Sequence, residues 1–139
     1  MKLCIVLANY YPKISRDLLL GATNVLKSYK IKEFNKILVP GIFEVPIVIA
    51  RNINSYDGFI ALGCVIKGKT PHFDFITRAS IDGLMHLSIN YKKPIGNGII
   101  TCLNKKQAYE RSNPQKMNKG GEAARALLSV LGFIDEKSK

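Results

Sequence analysis

The chain has 139 residues, 47% of them hydrophobic and 22% charged, which fits one domain with a packed core and excludes both a large multidomain enzyme and intrinsic disorder. Lys and Arg number 21 against 10 Asp and Glu, giving a formal net charge of +11. This excess is compatible with a solvated, Lys-rich surface or with an anionic partner, whether nucleic acid, a membrane surface or a phosphorylated small molecule.

Strands and helices alternate along the chain. Leu3–Ala8 is a continuous apolar run, typical of a strand buried on both faces. Residues 14–29 then carry apolar side chains at helical spacing, with Ser15 or a neighbour available as the N-cap. Further strands are predicted at 36–39, 58–62 and 95–101, and further helices at 44–53, 76–91, 105–111 and 118–131. The alternation predicts one α/β domain over residues 1–139, with a four-stranded parallel sheet between helical layers.

The cysteines and the amino-terminal segment bear on where the protein works. Cys4, Cys64 and Cys102 are odd in number, far apart and flanked by β-type apolar runs. This pattern favours reduced core thiols over a disulfide framework or a CxxC metal site. The first apolar run is too short to span a bilayer. We therefore expect a cytoplasmic protein.

In a parallel sheet, ligands bind in the loops that follow the carboxyl ends of the strands. These loops are predicted at 9–13, 40–45, 63–75 and after residue 101. Residues 63–70 read Gly-Cys-Val-Ile-Lys-Gly-Lys-Thr, a formal match to the P-loop of nucleotide hydrolases. The β-branched Val65 and Ile66 resist the tight amide nest of a P-loop, and no later strand ends in an Asp that would hold magnesium. A nucleotide hydrolase is therefore disfavoured, although Lys69 and Thr70 still offer donors to an anion.

The two histidines differ in their surroundings. His86 lies among apolar residues of a predicted helix, which favours a structural or interface role. His72 lies in a predicted loop two residues after Thr70, with Asp74 close enough in sequence to orient it. Imidazole groups titrate near neutral pH and suit general acid–base catalysis. A catalytic role and that of an ordinary loop histidine are both open at this point.

The segment 40–46 reads Pro-Gly-Ile-Phe-Glu-Val-Pro and places an acid at the start of a predicted helix. Glu44 either interacts with the helix dipole or accepts hydrogen bonds from a polar ligand. Gly41 allows the backbone to approach a ligand closely. The residues alone leave both interpretations open.

Four segments, in order and at matching spacing, resemble the lumazine synthase family, the 6,7-dimethyl-8-ribityllumazine synthases of riboflavin biosynthesis. They are residues 40–46; 61–68 with Thr70, His72, Phe73 and Asp74; 107–108 with 110–111; and 118–120. The resemblance covers nearly the whole chain. It implies a flavodoxin-like three-layer α/β/α subunit, a homo-oligomer of one or more pentamers with active sites between neighbouring subunits, and no metal or organic cofactor. It implies neither a nucleic-acid partner nor a membrane.

The implied reaction condenses two small molecules, 5-amino-6-(D-ribitylamino)uracil and 3,4-dihydroxy-2-butanone 4-phosphate, and releases phosphate and water. The resemblance implies that His72 is the proton donor and acceptor, that Tyr10 stacks on the pyrimidine, and that Asn97 and Arg111 come from a neighbouring subunit. The implied contacts to ribitylaminouracil are Tyr10, Ile42, Phe43, Glu44, Cys64, Val65, Ile66 and Asn97. The implied contacts to butanone phosphate are Lys69, Thr70, Arg111 and Lys119.

Three positions depart from the commonest family pattern. Asn9-Tyr10-Tyr11 replaces a frequent Arg-Phe-Asn, which keeps the aromatic ring but changes its flanks. Lys69 stands where an acid or a small residue is usual, which should strengthen anion binding. Asn97 replaces a frequent Phe and so removes one face of an aromatic sandwich around the pyrimidine. Pyrimidine affinity is the property that these changes affect most.

Two other functions remain as alternatives. A related riboflavin synthase of the same fold would dismutate the lumazine product, and supplying lumazine alone would distinguish it. The basic charge also allows a nucleic-acid-binding module, although the sequence has no recognisable helix-turn-helix, zinc site or aromatic RNA platform.

Overall fold

The strands of the central sheet are all parallel and lie in the order β2-β1-β3-β4. The computed structural model describes residues 1–134. Within them the strands are β1 (Leu3–Ala8), β2 (Phe34–Val39), β3 (Gly58–Ile66) and β4 (Ile95–Cys102), and the helices are α1 (Pro12–Ser28), α2 (Val45–Arg51), α3 (His72–Tyr91), α4 (Lys105–Ser112) and α5 (Lys119–Val130), with one 3-10 turn at Ile42–Glu44. The predicted α/β class and four-stranded parallel sheet are confirmed.

The central position of β1 in the sheet accounts for the continuous apolar run Leu3–Ala8. Every residue of β1 is buried, because helices cover both faces of the sheet. Leu3, Ile5 and Leu7 face a core shared with α1 and α5. The alternate residues of β1 face a second core shared with α2 and α3. A strand at the centre of a parallel sheet therefore needs an unbroken apolar run.

Helices α1 and α5 pack backbone against backbone on one face of the sheet. A Cβ atom added to Gly120 would overlap the carbonyl oxygen of Leu18. Asn118, the N-cap of α5, has a positive φ of 50° and accepts a hydrogen bond from the Gly121 amide at 3.2 Å. The segment 118–120 is therefore a close-packing and capping element.

Two helix starts differ from the prediction. Ser15 does not cap α1: Tyr11 is the N-cap residue, and the buried Ser15 hydroxyl donates to the Ala8 carbonyl at 2.9 Å. Pro12 fixes the start of this helix, since proline suits the first helical position. Helix α3 begins at His72 instead of residue 76, directly after Pro71. Its first turn is largely exposed, so apolar periodicity did not reveal it.

The remaining predictions concern the cysteines and the membrane. All three cysteines are buried, as expected for core residues. Between residues 1 and 134, no helix has the length and apolar character that a membrane crossing requires.

Candidate active site

A cavity of about 600 Å³ opens at the carboxyl ends of β1, β2 and β3. The chain leaves β1 for a helix on one face of the sheet and leaves β3 for a helix on the other, which makes this the topological switch point where α/β folds bind ligands. The volume suits a small molecule. The cavity is lined by Tyr10, Tyr11, Pro40, Gly41, Ile42, Phe43, Glu44, Cys64, Val65, Ile66, Gly68, Thr70, His72, Phe73 and Ile76.

Most of the predicted site residues meet in this cavity, and four do not. The lining includes Tyr10, Ile42, Phe43, Glu44, Cys64, Val65, Ile66, Thr70 and His72. Lys69, Asn97, Arg111 and Lys119 are absent from it. Sequence reasoning missed Tyr11 and Ile76. The available signals were the position of Tyr11 beside Tyr10 and that of Ile76 one helical turn after His72.

The end of β3 forms one wall of the cavity. Pairing between β1 and β3 stops at Leu7 and Leu62, whereas pairing between β3 and β4 continues to Ile66 and Cys102. Among the described residues, 63–66 therefore have a strand partner only on the β4 side, and their main-chain groups on the β1 side are not paired with a strand. This extended geometry is not the amide nest of a P-loop. The motif at 63–70 is thus a strand followed by a short loop.

The thiol of Cys64 lies within this wall and is not set up as a nucleophile. Burial, and then the neighbouring Cys102 thiol, raise the pKa of Cys64 to about 12. Thiolates are the nucleophilic form of cysteine, and a thiol with so high a pKa stays neutral at physiological pH. Cys64 therefore contributes main-chain groups and packing to the cavity.

The turn after β2 is held by reciprocal hydrogen bonds. The Gly41 amide donates to Oε1 of Glu44 at 2.9 Å, and the Glu44 amide donates to the Gly41 carbonyl at 3.3 Å. The Ser80 hydroxyl of α3 donates to the Ile42 carbonyl at 3.3 Å, which ties the turn to that helix. Within residues 1–134, Oε2 of Glu44 accepts no hydrogen bond. Glu44 thus has a local structural role and one carboxylate oxygen available to a ligand.

Two adjacent tyrosines lie at the aromatic side of the cavity. Tyr10 is 69% exposed, whereas Tyr11 is half-buried and packs against the core that contains Cys64. Their ring centroids are 4.9 Å apart at an interplanar angle of 89°, an edge-to-face pair. Burial, followed by the nearby Cys64 and Tyr10, raises the pKa of Tyr11. Its hydroxyl is therefore neutral at physiological pH.

His72 is the first residue of α3, exposed to solvent within the cavity lining. Its backbone amide donates to the Thr70 hydroxyl at 3.4 Å. The expectation that Asp74 orients the imidazole is wrong: within residues 1–134 the ring makes no hydrogen bond to Asp74 or to any other residue. The reason is geometric, since residues two apart on a helix point in different directions. The ring is therefore available to a ligand.

His86 is also exposed on α3 but lies outside the cavity. Its Nε2 atom is 2.7 Å from the Asn90 side-chain amide, one helical turn away. A part in the chemistry of this cavity is not supported.

Arg111 and Asn97, which lie outside the cavity lining, have local partners in their own chain. Nη1 of Arg111 donates to the Thr101 carbonyl at 2.6 Å, which fixes one side of the guanidinium group. Oδ1 of the exposed Asn97 accepts from the Ile99 amide at 3.0 Å. Both contacts lie at or beside β4, which is an edge strand within residues 1–134.

The two lysines differ in their relation to the cavity. Lys69 is exposed in the loop between Gly68 and Thr70, which both line it. Lys119 begins α5 and forms an ion pair with Glu122 at 3.2 Å. Of these two lysines, Lys69 is therefore the one that lies beside residues of the cavity lining.

Comparison with known proteins identifies the family. The family model for 6,7-dimethyl-8-ribityllumazine synthase matches residues 1–134. The chain is 45% identical over 132 residues to the 6,7-dimethyl-8-ribityllumazine synthase of Bartonella tribocorum, covering 93% of this chain and 87% of that protein. It is 42% identical over 135 residues to the synthase of Bartonella bacilliformis, covering 94% and 88%. It is 39% identical over 140 residues to the synthase of Arthrobacter sp. (strain FB24), covering 99% and 87%. A family match over nearly the full length, together with relatives of this identity, shows that the chain belongs to the 6,7-dimethyl-8-ribityllumazine synthase family and has that activity in riboflavin biosynthesis.

Proposed function

We propose that the cavity at the carboxyl ends of β1–β3 is the active site in which 5-amino-6-(D-ribitylamino)uracil condenses with 3,4-dihydroxy-2-butanone 4-phosphate. The observation that carries the proposal is the convergence of Tyr10, Glu44 and His72 on one cavity of about 600 Å³. The reaction needs a stacking surface, polar groups for a sugar chain, a phosphate site and a proton shuttle. The cavity offers a candidate for each.

The pyrimidine binds between Tyr10 and the end of β3. The exposed ring of Tyr10 presents a face on which a planar heterocycle stacks. In the part of the chain that the structure describes, the main chain at Cys64, Val65 and Ile66 has no strand partner on the β1 side, so its amides and carbonyls can pair with the polar edge of the ring. Main-chain groups are suited to this role because they are held in place by the sheet.

The ribityl chain lies along the turn after β2. Oε2 of Glu44 accepts a hydrogen bond from a ribityl hydroxyl, while Oε1 remains bound to the Gly41 amide. The exposed ring of Phe43 and the buried Ile42 shape the apolar part of this wall.

The phosphate of the second substrate binds near the start of α3. The Thr70 hydroxyl lines the cavity there, and the Lys69 ammonium group lies one residue away. Arg111 and Lys119 complete the phosphate site, and Arg111 comes from a neighbouring subunit, as does Asn97 beside the pyrimidine. The absence of Arg111 and Asn97 from the cavity lining of their own chain supports this sharing. The Thr101 carbonyl occupies Nη1 of Arg111 and leaves the other guanidinium donors for the anion.

His72 transfers the protons. It donates to the carbonyl oxygen that leaves as water when the imine forms, and it exchanges protons again during phosphate elimination and ring closure. Its ring has no competing hydrogen bond within residues 1–134. The chemistry proposed for this site requires no metal or organic cofactor.

The chain works as a single cytoplasmic domain in a homopentamer or a multiple of pentamers. Support for assembly comes from α3, where Phe75, Met85 and Ile89 are 69%, 59% and 66% exposed and lie on one face at 100° per residue. Met85 and Ile89 are one helical turn apart, and exposed apolar side chains grouped in this way are typical of protein interfaces. The buried free thiols are those expected in a reducing compartment.

Turnover of the two substrates tests these assignments. Mixing both substrates with the purified protein should give the absorbance and fluorescence of a lumazine. His72→Ala should lower kcat, and Arg111→Ala should raise KM for butanone phosphate, whereas Arg125→Ala, an exposed arginine of α5, should behave as wild type. Wild-type turnover by His72→Ala would refute its role as proton donor.

Mixed assemblies test the shared site. When His72→Ala and Arg111→Ala chains are co-expressed in equal amounts, about a quarter of shared sites combine an intact His72 with an intact Arg111 from the neighbour. Activity measured at butanone phosphate far below the KM of Arg111→Ala, where sites lacking Arg111 turn over little, should therefore return to about a quarter of the wild-type value. Activity no higher than the mean of the two variants, or a stable monomer in solution, would refute the shared site.

A further inference from the structure

Tyr10 has little burial to hold its ring in place. It is 69% exposed and follows directly after the end of β1. A ring this exposed samples several rotamers unless a neighbour restricts it, and ordering it on binding weakens affinity. A stacking residue in this position therefore needs a support.

Tyr11 is that support in the structure. Its ring meets the Tyr10 ring edge to face, with centroids 4.9 Å apart and planes at 89°. This is the arrangement that aromatic quadrupoles favour, with the positive edge of one ring against the negative face of the other. The contact restricts the orientation of the exposed ring.

Tyr11 is itself firmly anchored. Its side chain is half-buried against the core on the α1 side of the sheet. Its carbonyl accepts from the Ser15 amide at 2.9 Å, and the Ser15 hydroxyl donates to the Ala8 carbonyl at the same distance. The backbone that carries both tyrosines is thus tied to the end of β1.

We propose that Tyr11 is a positioning residue, which holds the Tyr10 ring in the orientation that stacks on the pyrimidine and thereby sets the affinity for ribitylaminouracil. The inference rests on the stacking role given to Tyr10 under the proposed function. It assigns to Tyr11 no direct chemistry.

The ring of Tyr11, and not its hydroxyl, does this work. The hydroxyl makes no hydrogen bond to another residue within 1–134, whereas the ring makes both the contact to Tyr10 and the packing against the core. Tyr11→Phe keeps the ring and should bind substrate as wild type does. Tyr11→Leu keeps apolar packing but removes the aromatic ring that meets Tyr10.

A double-mutant cycle on Tyr10 and Tyr11 tests the inference. The variants are Tyr10→Leu, Tyr11→Leu, the double variant and Tyr11→Phe, each measured for Kd of ribitylaminouracil by fluorescence titration and for kcat and both KM values. Tyr11→Leu should raise Kd and KM for ribitylaminouracil about two- to tenfold, the range of an aromatic pair. The KM for butanone phosphate and kcat should change little. In the Tyr10→Leu background, Tyr11→Leu should have almost no further effect.

Additive effects in the cycle would overturn the inference, since Tyr11 would then act independently of Tyr10. A Tyr11→Phe variant as weak as Tyr11→Leu would also overturn it, because the hydroxyl would then be responsible. If Tyr10→Leu alone binds ribitylaminouracil with wild-type Kd, the stacking role of Tyr10 fails, and with it this inference. Urea unfolding of each variant monitors the fold, and Tyr11→Met replaces Tyr11→Leu in the cycle if the latter unfolds.

Discussion

Replacing Glu44 separates its structural role from its role in binding. Oε1 of Glu44 accepts from the Gly41 amide at 2.9 Å, and the Glu44 amide donates back at 3.3 Å. A hydrogen bond to a charged group contributes roughly 1.5–3 kcal/mol to stability, and a neutral one about 0.5–1.5 kcal/mol. Glu44→Ala leaves the partly buried Gly41 amide without its acceptor, so the free energy of unfolding should fall by about 1–3 kcal/mol. Glu44→Gln keeps a carbonyl oxygen in that place and should lose about half as much.

The same two variants also test the role of Glu44 in substrate binding. If Oε2 accepts from a ribityl hydroxyl, Glu44→Gln replaces a charge-assisted bond by a neutral one. That change is worth about 1.4 kcal/mol, or about tenfold in KM for ribitylaminouracil. Glu44→Ala should raise KM further, and the KM for butanone phosphate should change little in either variant.

Urea unfolding measures the stability, and steady-state turnover at saturating butanone phosphate measures KM. Glu33→Gln is the matched control. It removes an exposed carboxylate at the amino end of β2, whereas the cavity lies at the carboxyl end of that strand. A Glu44→Gln enzyme with the wild-type KM would refute the ligand role. A Glu44→Ala protein as stable as wild type would refute the structural role.

Three further predictions concern packing, ionisation and charge. Gly120→Ala should lower the free energy of unfolding by about 1–3 kcal/mol, because its Cβ would meet the Leu18 carbonyl. Gly68→Ala is the control, since no atom of residues 1–134 lies within 4 Å of the added Cβ, and equal urea midpoints for the two variants would contradict the packing. Burial raises the pKa of Cys64 from 9.0 to about 12, so the folded protein holds this proton longer than the unfolded chain does. The stability that depends on this proton is full below pH 9.0 and is lost as pH rises towards 12, by about 1.4 kcal/mol per pH unit. Urea unfolding across this range should show a smaller decline for Cys64→Ala than for wild type, and parallel pH profiles of the two proteins would contradict the raised pKa. Lys69→Ala should raise KM for butanone phosphate only about two- to fivefold, because an exposed ion pair is weak. The KM of the variant should also depend less on salt concentration, and an unchanged salt dependence would place Lys69 away from the phosphate.

The element that the sequence predicted best is the strand that is buried on both faces of the sheet, because such a strand needs apolar residues at every position. The unbroken run Leu3–Ala8 requires a buried central strand, and the structure has one there. The end of β3 was predicted wrongly, because residues 63–66 were expected in the loop after a strand at 58–62, whereas β3 runs to Ile66. Only pairing with β4 extends the strand to Ile66, and β4 lies about 30 residues further along the chain. Local patterns carry no information about such a partner.

Some residues of the cavity were predicted from the sequence and others were not. Residues 42–44, 64–66 and His72 follow from the rule that parallel sheets bind ligands at their carboxyl edge, together with the family motifs. Tyr11 was missed, because its half-buried position depends on how α1 packs over the sheet. The expected link between Asp74 and His72 failed because the helix starts at His72 and turns the two side chains apart.

The net charge of +11 does not by itself identify the ligand. Within residues 1–134 the ion pairs are Lys13–Asp17 and Lys119–Glu122, so most of the basic side chains there remain solvated. Solvated lysines interact with any anion and select none, because their field is screened within about 10 Å at ordinary ionic strength. Selectivity requires a cation at a fixed place beside groups that recognise the rest of the ligand. Lys69 is a candidate for such a cation, since its neighbour Thr70 lines the cavity that also holds His72. For the proposed phosphate site, cations beside the cavity therefore matter more than the whole excess of charge does.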